Sequence, residues 1–257
     1  MKDQKPVTIV MLNYNKPDVT IRCLESLKSQ TYANFSIILI DNGSTDNSVE
    51  VLEEYLKNKK KHVKIDFYKE KENLFFDGGI NEGVKKAKTD YIISLDNDIV
   101  TVPDWIEKLV KKLESNPELA IVGSPYTNVG ELYVKRVEER YVINFLGELV
   151  PTKHPIKSFT FYADAGALIY KKSVMGLPYD PDFNFLFEDV YMSGRAWISG
   201  HKVEMADTMV DHIGGLTRTG INVIWEFSGE RNRLYCLFLL YSKKTLLKIS
   251  PLLAFQI

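Results

Sequence analysis

The chain has 257 residues, of which 45% are hydrophobic and 26% are charged, and its formal net charge is −1. This length suits one large domain with a substantial core, and the composition is typical of a globular protein. A net charge so close to zero argues against a nucleic-acid-binding surface, so we expect no nucleic acid among the partners.

The sequence predicts a cytoplasmic location. Residues 1–6 are polar and unlike a signal peptide, and no apolar run reaches the length of a membrane span. Cys23 and Cys236 lie far apart among apolar neighbours and lack the spacing of a metal site. We therefore expect reduced cysteines and a cytoplasmic protein, at the inner face of the membrane if it contacts one.

The first half of the chain alternates predicted strands with predicted helices. The strands cover 7–12, 35–40, 63–68, 91–95 and 120–122, and the helices between them include one that begins at Pro17 and others over 74–88 and 103–115. This alternation indicates an α/β fold with a doubly wound, mostly parallel sheet flanked by helices. In such sheets, ligands bind beyond the carboxyl ends of the strands.

The second half has a looser pattern. An extended stretch covers 142–150, a predicted helix covers 188–199, and short strands follow over 202–206 and 208–212. A final helix is predicted over 222–241. The sequence shows no linker or repeat, which predicts one domain with a C-terminal helical extension.

Two acids follow the buried strand over 91–95. A strand that ends in Asp96-Asn97-Asp98 places two carboxylates with the same side-chain parity at the edge of a sheet. Mg²⁺ and Mn²⁺ prefer such oxygen ligands together with substrate phosphates. Acidic loops after strands are common, but three other stretches suit the same chemistry and together indicate sugar transfer from a nucleotide.

Two of those stretches suit a nucleotide donor. Asp41 follows the second strand and could accept a hydrogen bond from the imide N–H of uracil or thymine, although a turn and helix cap explain its segment equally well. The glycines after Asn73 would let the backbone approach a donor, or they form an ordinary turn into a helix.

The third stretch is Glu188-Asp189, which follows the apolar segment 183–187. A carboxylate there could take the proton from an acceptor hydroxyl as its oxygen attacks an anomeric carbon. One base is sufficient for a single displacement with inversion. The alternative is a pair of acids that stabilises a helix N-terminus through the helix dipole.

Taken in order, these stretches resemble the family-two glycosyltransferases, which have the GT-A fold, and more narrowly their rhamnosyltransferase-like branch. The matching stretches lie between residues 7 and about 215. They are Asn13-Tyr14-Asn15, 40–46, 73–83, Leu95-Asp96-Asn97-Asp98, Asp164-Ala165-Gly166-Ala167, 179–189, Arg195, Gly200 and His212.

The resemblance implies roles for individual residues. Asp189 is implied as the catalytic base, and Asp98 and His212 as ligands of a Mn²⁺ or Mg²⁺ cofactor. The implied nucleotide and donor-binding residues are Asn13, Tyr14, Asn15, Asp41, Asn73, Gly78, Gly79, Asn81, Asp96, Asn97 and Gly166. The implied acceptor-side residues are Asp164, Glu188 and Arg195.

The implied activity is inverting, metal-dependent transfer of a sugar from a UDP- or dTDP-sugar to a hydroxyl of a glycan or lipid-linked acceptor, in cell-surface polysaccharide synthesis. Two alternatives stay open. One is a non-catalytic domain that binds a sugar nucleotide or a partner protein. The other is a sugar-nucleotide pyrophosphorylase, which is disfavoured because the segment after the first strand, Asn13 to Pro17, contains no glycine.

These expectations divide the chain into a GT-A domain over 1–220 and a C-terminal helical extension over 221–257. The domain comprises a nucleotide-binding half over 1–123 and an acceptor-binding half over 124–220, the latter with a smaller antiparallel region. In the extension, the lysines Lys243, Lys244 and Lys248 alternate with apolar residues at helical spacing. Such a helix can dock on an anionic membrane or pack on its own domain. The apolar end at Ile257 leaves open whether the natural chain continues.

Overall fold

A computed structural model describes residues 4–57, 63–129, 134–137, 141–213 and 223–253. The strands are β1 (Val7–Asn13), β2 (Phe35–Asp41), β3 (Lys64–Lys69), β4 (Tyr91–Leu95), β5 (Ile99–Val100), β6 (Leu119–Gly123), β7 (Tyr126–Val129), β8 (Val134–Val137), β9 (Tyr141–Ile143), β10 (Leu149–Pro151), β11 (Ala167–Lys171), β12 (Lys202–Met205) and β13 (Val210–His212). The helices are α1 (Pro17–Leu27), α2 (Ser48–Lys57), α3 (Phe75–Lys86), α4 (Trp105–Glu114), α5 (Lys172–Met175), α6 (Glu188–Ile198), α7 (Val223–Leu240) and α8 (Lys243–Leu253).

Seven strands form the central sheet, in the order β12-β6-β11-β4-β1-β2-β3. Neighbouring strands are parallel except at β11, which is antiparallel to both β4 and β6. This confirms the predicted α/β fold with a mostly parallel sheet. Strand β11 was not predicted from the sequence. Because β11 and β12 both join this sheet, the two predicted halves share one framework.

Side-chain alternation along the strands builds a core on each face of the sheet. Ile9 and Ile93 lie in one core, where α1, α2 and α4 supply further apolar residues. Val10 and Ile92 lie in the other core, which α3 and α6 cover. A strand that is buried on both faces has a nearly continuous apolar sequence. These strands are therefore readily predicted from the sequence.

A second, four-stranded sheet has the order β5-β13-β7-β8. As predicted for the smaller region, β5 pairs antiparallel with β13 and β7 pairs antiparallel with β8. The exception is the parallel pairing of β13 with β7. The reason lies in the central sheet, where β6 and β12 are parallel neighbours. Their continuations, β7 and β13, therefore run side by side in the same direction. The predicted stretch 142–150 is largely an antiparallel hairpin of β9 and β10.

The C-terminal helices differ in how they contact the domain. In α7, the Leu237 side chain packs on Gly147, and just after it the Tyr241 hydroxyl donates a hydrogen bond to the Asn144 carbonyl at 3.0 Å. In α8, Leu247 is 75% exposed. The predicted boundary between 220 and 221, and the last four residues, lie outside the described residues. Within the described part of the chain, no helix has the length and apolarity needed to cross a bilayer.

Candidate active site

A crevice of about 570 Å³ opens beyond the carboxyl ends of β1, β2 and β4. Its described lining carries five carboxylates and two basic side chains, namely Asp96, Asp98, Asp164, Glu188 and Asp189 with Lys16 and His212. Such a surplus of acids fits a site that takes up a cation together with its ligand.

Most of the predicted site residues lie on the wall of this crevice. They are Tyr14, Asn15, Asn73, Asp96, Asn97, Asp98, Asp164, Gly166, Glu188, Asp189 and His212. The predicted residues that do not line it are Asn13, Asp41, Gly78, Gly79, Asn81 and Arg195. The roles of all these residues toward a ligand stay predictions.

Asp96, Asp98 and His212 form a group able to hold a metal ion, since one ligand atom from each lies within 4.8 Å of the others. The pairing of β13 with β5 places His212 opposite Ile99, and the His212 Nε2 lies 3.2 Å from the Asp98 Oδ1. Burial and the negative charges of Asp98 and Asp164 raise the pKa of Asp96 to about 7. The hydrogen bond to Asp98 raises the pKa of His212. Two carboxylates and an imidazole suit a divalent cation such as Mn²⁺.

Gly166 is required by close packing between two acids. A Cβ atom at this position would lie 2.5 Å from the Asp96 Oδ2 and 3.1 Å from the Asp164 Oδ1. The backbone also fixes the acids, because the Asp96 N–H donates to the Gly166 carbonyl at 2.8 Å and the Gly166 N–H donates to the Asp164 Oδ1 at 2.9 Å. Any side chain here would displace Asp96.

A chain of hydrogen bonds connects the Asp96-Asn97-Asp98 turn to the ends of β1 and β2. The Asn97 amide donates to the Thr20 hydroxyl at 2.9 Å, and that hydroxyl donates to the Asn13 Oδ1 at 2.7 Å. The Asn13 amide then donates to the Asp41 Oδ2 at 2.8 Å. This network explains why Asn13 is buried behind the wall, and it includes Thr20, which the sequence analysis missed.

Asp41 has a structural role of its own. Its carboxylate accepts hydrogen bonds from the Ser44 hydroxyl at 2.6 Å and the Ser44 N–H at 3.0 Å, and the residue is only 1% exposed. These contacts match the turn that the sequence left open as an alternative. Contact between Asp41 and a base stays a prediction.

Asn42, which was not selected from the sequence, shapes the crevice wall that carries Asn73 and Phe75. Its side-chain amide donates to the Asn73 Oδ1 at 3.0 Å and to the Phe75 carbonyl at 2.9 Å, and its Oδ1 accepts from the Leu74 N–H at 3.1 Å. Three hydrogen bonds from one side chain hold the turn that precedes α3. Asn81, further along α3, bonds to the backbone of Tyr179 instead of facing the crevice.

Arg195, which the resemblance implies as an acceptor-side residue, does not line the crevice. Its guanidinium donates to the carbonyls of Met175, Leu177 and Pro178 at 2.8–3.2 Å. Arg195 is six residues after Asp189 on α6, which at about 100° per residue points it to a different face of the helix. It therefore holds the segment after α5, and its role toward an acceptor stays a prediction.

The first two residues of α6 are acids in a largely apolar setting. The Asp189 Oδ1 accepts from the Val190 N–H at 2.7 Å, while the Glu188 Oε2 is buried without a hydrogen-bond partner among the described residues. Burial and the negative charges of Glu188 and Asp164 raise the pKa of Asp189 well above its usual range. A carboxylate of raised pKa is a stronger base than an exposed one.

Asp77, in the first turn of α3, is a further acid behind this pair. It is fully buried, and neither carboxylate oxygen has a partner among the described residues. Burial and the negative charges of Asp189 and Asp180 raise the pKa of Asp77 to about 8. Burial and the charge of Asp77 raise the pKa of Glu188 to about 8 as well. The sequence gives little signal for Asp77, because an acid in a first helical turn is ordinary.

Backbone strain concentrates at the crevice. The non-glycine residues with positive φ in the described chain are Asn15, Lys16, Phe75, Asn184, Leu186 and Phe187, and all of them line it. Each such conformation carries a steric cost and persists only where surrounding contacts hold it. This clustering is typical of a functional site.

Comparison with known proteins agrees with this geometry. The family model described as Glycosyl transferase family 2 matches residues 8–176. Glycosyltransferase GlyA of Streptococcus pneumoniae serotype 4 is 26% identical over 208 residues, which cover 77% of this chain and 29% of GlyA. The chain thus spans less than a third of that relative.

Solved structures show the same fold. GalNAc-T7, in a structure with UDP, GalNAc and Mn²⁺, superimposes with a TM-score of 0.78 at 17% identity, covering 95% of this chain and 49% of that one. The mannosyltransferase PcManGT from Pyrobaculum calidifontis, in complex with GDP-Man and Mn²⁺, gives a TM-score of 0.65 at 12% identity, covering 99% of this chain and 81% of that one. These neighbours confirm the predicted GT-A fold. With a family model that matches most of its length, the chain belongs to the family 2 glycosyltransferases.

Proposed function

We propose that this chain transfers a sugar, with inversion, from a UDP- or dTDP-sugar to a hydroxyl group of a glycan or lipid-linked acceptor. The observation that carries the proposal is the presence of Asp189 in the same crevice as Asp96, Asp98 and His212. This arrangement unites a base of raised pKa with a group able to hold a metal ion. An inverting transfer that depends on a metal uses both on one substrate: the base for the acceptor hydroxyl and the metal for the leaving group.

On the donor side, Asp96, Asp98 and His212 would hold Mn²⁺ or Mg²⁺. A bound divalent cation neutralises the charge that develops on the departing nucleoside diphosphate. Two partly exposed aromatic side chains, Tyr14 at 44% and Phe75 at 49%, line the crevice and offer faces against which a base or sugar can stack. Both named neighbours were solved with a nucleotide and Mn²⁺, which supports this assignment.

On the acceptor side, Asp189 would accept the proton of the attacking hydroxyl. The wall beside it is apolar, formed by Phe185, Leu186 and Phe187. Such a wall suits the face of a sugar ring and keeps water from the anomeric carbon. Glu188 and Asp164 lie close enough to Asp189 for their charges to strengthen it as a base.

The test needs no acceptor. The protein with Mn²⁺ is incubated with UDP-, dTDP- and GDP-sugars, nucleotide release is measured, and the anomer of the freed sugar is read by NMR before mutarotation. The proposal predicts slow hydrolysis of a UDP- or dTDP-sugar, with water replacing the acceptor and the anomeric configuration inverted. A retained configuration would contradict the inverting mechanism.

Replacing Asp77 with asparagine should change the pH dependence of both stability and turnover. A carboxyl whose folded-state pKa is near 8 takes up a proton on folding, so stability falls as pH rises from about 4 to 8. Because an amide does not ionise, Asp77→Asn should remove this fall, so the variant's stability relative to the parent should be higher at pH 8 than at pH 5.

The same substitution removes a negative charge that faces Glu188 and Asp189. The acid limb of the rate profile should therefore move to lower pH. The measurements are chemical denaturation at pH 5 and pH 8 and nucleotide release between pH 5 and pH 9. Identical profiles for Asp77→Asn and the parent would show that Asp77 does not influence the base.

We also propose that α8 contacts an anionic membrane from the cytoplasmic side. Lys244, Leu247, Lys248 and Leu252 are exposed in α8, and their spacing places them on one face. Exposed lysines beside leucines suit a surface with anionic headgroups and an acyl boundary. Such a position would bring the crevice near a lipid-linked acceptor.

Co-sedimentation with vesicles tests this contact. Each lysine near an anionic surface contributes about 1 kcal/mol, so the double variant Lys244→Gln/Lys248→Gln should bind phosphatidylglycerol vesicles about 30-fold more weakly. The matched control, Lys88→Gln/Lys111→Gln, loses two exposed lysines outside α8. Equal binding by both variants would contradict the role of α8.

A further inference from the structure

The segment that leads into Glu188 and Asp189 has an unusual backbone. Three of the five residues of the 183–187 loop, Asn184, Leu186 and Phe187, have φ values of 64°, 67° and 69°. Left-handed conformations cost about 1–2 kcal/mol each for residues with a side chain. Leucine and phenylalanine offer no local hydrogen bond that would offset this cost, so contacts from elsewhere must hold the 183–187 loop.

The contact that holds this loop comes from α7. Asn232 is fully buried, and its side-chain nitrogen lies 3.0 Å from the Phe183 carbonyl, 2.8 Å from the Phe185 carbonyl and 2.9 Å from the Leu186 carbonyl. An amide NH₂ group has two hydrogens, so three carbonyls saturate it.

The neighbouring Arg231 completes the arrangement. Its Nε donates to the Asn232 Oδ1 at 2.8 Å, which fixes the amide with its NH₂ group toward the loop. Its guanidinium also donates to the Asp182 carbonyl, one residue before the loop. Asn232 therefore has a single orientation in which its donors are aimed at the loop.

The loop sets where the base lies. Phe187 is the N-cap residue of α6, so Asp189 follows the left-handed pair after a single residue. A change of φ at Leu186 or Phe187 would swing the first turn of α6 and move the Asp189 carboxylate within the crevice. Such misplacement by about 1 Å can lower a rate by about 100-fold.

We propose that Asn232 is a positioning residue, which holds the 183–187 loop so that Asp189 faces the reacting hydroxyl. The proposal rests on the proposed function of Asp189. It makes α7, which lies outside the matched residues 8–176, a part of the active site's support. The donor-binding wall on β1, β2 and β4 does not depend on this contact.

The first test is Asn232→Asp in the full chain. Aspartate has the same size as asparagine but presents a second oxygen, in place of the NH₂ group, to three carbonyls. The kcat for nucleotide release should fall by about 10–100-fold, while the Kd for UDP or dTDP with Mn²⁺ changes less than about twofold.

The matched control is Leu237→Ala on the same helix. Leu237 is 2% exposed and packs on Gly147, so its truncation loosens α7 without touching the loop. It should lower the melting temperature and leave kcat unchanged below that temperature. The proposal would be overturned if kcat fell no more in Asn232→Asp than in Leu237→Ala. It would also be overturned if Asn232→Asp lost nucleotide affinity in parallel with kcat.

A second readout does not depend on activity. Chymotrypsin cleaves after aromatic residues and leucine, so a released 183–187 loop should be cut at least about tenfold faster in Asn232→Asp than in Leu237→Ala. Equal cleavage would overturn the proposed contact whatever the enzyme does. A different outcome is also possible: Asn232→Asp is cleaved faster, but the parent protein never releases nucleotide. That result would support the loop contact and would reject both the proposed function and the catalytic role of Asn232.

Discussion

Replacing Asp189 with asparagine should lower sugar transfer by about 10²–10⁴-fold, the usual contribution of a general base. Asparagine has nearly the same shape but cannot accept the acceptor's proton. Binding of the nucleotide should survive, because the metal-holding group and the Asn42-supported wall do not include Asp189. The measurement is nucleotide release at saturating donor and Mn²⁺, together with donor binding by calorimetry.

The stability of this variant separates a lost base from a lost fold. Burial and neighbouring negative charges raise the pKa of Asp189, so an uncharged amide should fold at least as well at pH 8. Glu188→Gln identifies the base, since it should lower the rate less than Asp189→Asn. Asp182→Asn, which replaces an exposed carboxylate, should release nucleotide at the same rate as the parent protein. Near-normal turnover by Asp189→Asn would show that another group accepts the proton.

Replacing Asp98 with alanine should abolish the dependence of turnover on Mn²⁺. The substitution removes one carboxylate ligand and the 3.2 Å contact that orients the His212 imidazole. Stabilisation of the leaving group by a metal is worth several kcal/mol, so the rate should fall by at least about 100-fold. The measurement is nucleotide release across a Mn²⁺ titration.

The matched control for that variant is Asp211→Ala. Asp211 precedes His212 in β13, but it is exposed and does not line the crevice. Asp211→Ala removes one negative charge next to His212, as Asp98→Ala does. Its nucleotide release should depend on the Mn²⁺ concentration as in the parent protein. If Asp98→Ala kept Mn²⁺-dependent turnover within a few-fold of the parent protein, Asp98 would not be a metal ligand.

The sequence was sufficient to predict six of the seven strands of the central sheet and the position of the Asp96-Asn97-Asp98 turn. Runs such as β1 and β4 are buried on both faces, so their composition alone marks them as strands. The rule that ligands bind beyond the carboxyl ends of parallel strands then brought Tyr14 and Asp98 to one crevice. Local patterns and one topological rule are sufficient to predict these features.

The missed features depend on contacts between distant segments. Thr20 and Asn232 look like ordinary helix residues, and only the fold shows that one bonds to Asn13 and the other to the 183–187 loop. β11 was missed because it is a short antiparallel strand inserted between β4 and β6, where no βαβ unit predicts one. Arg195 lies off the crevice because six residues of helix separate it from Asp189 and turn it to a different face of α6.

The site also shows a cost in stability that its chemistry explains. Asp77 and Glu188 both have a pKa near 8 and buried oxygens without described partners, and six strained residues line the same crevice. Such features are retained at functional sites although they destabilise the fold. Relative to the parent protein, Asp77→Asn should therefore be more stable at pH 8 than at pH 5, and it should change the pH at which the enzyme works.

The most direct test of metal-dependent nucleotide binding is a thermal-shift series with UDP, dTDP, GDP, ADP and CDP, each with and without Mn²⁺. A ligand that binds only the folded state at 100 times its Kd adds about 2.7 kcal/mol and raises the melting temperature. We expect UDP or dTDP to do so only when Mn²⁺ is present. If no nucleotide shifts the melting temperature of the folded protein, with or without Mn²⁺, the donor site is wrong and the chain is a non-catalytic member of its family.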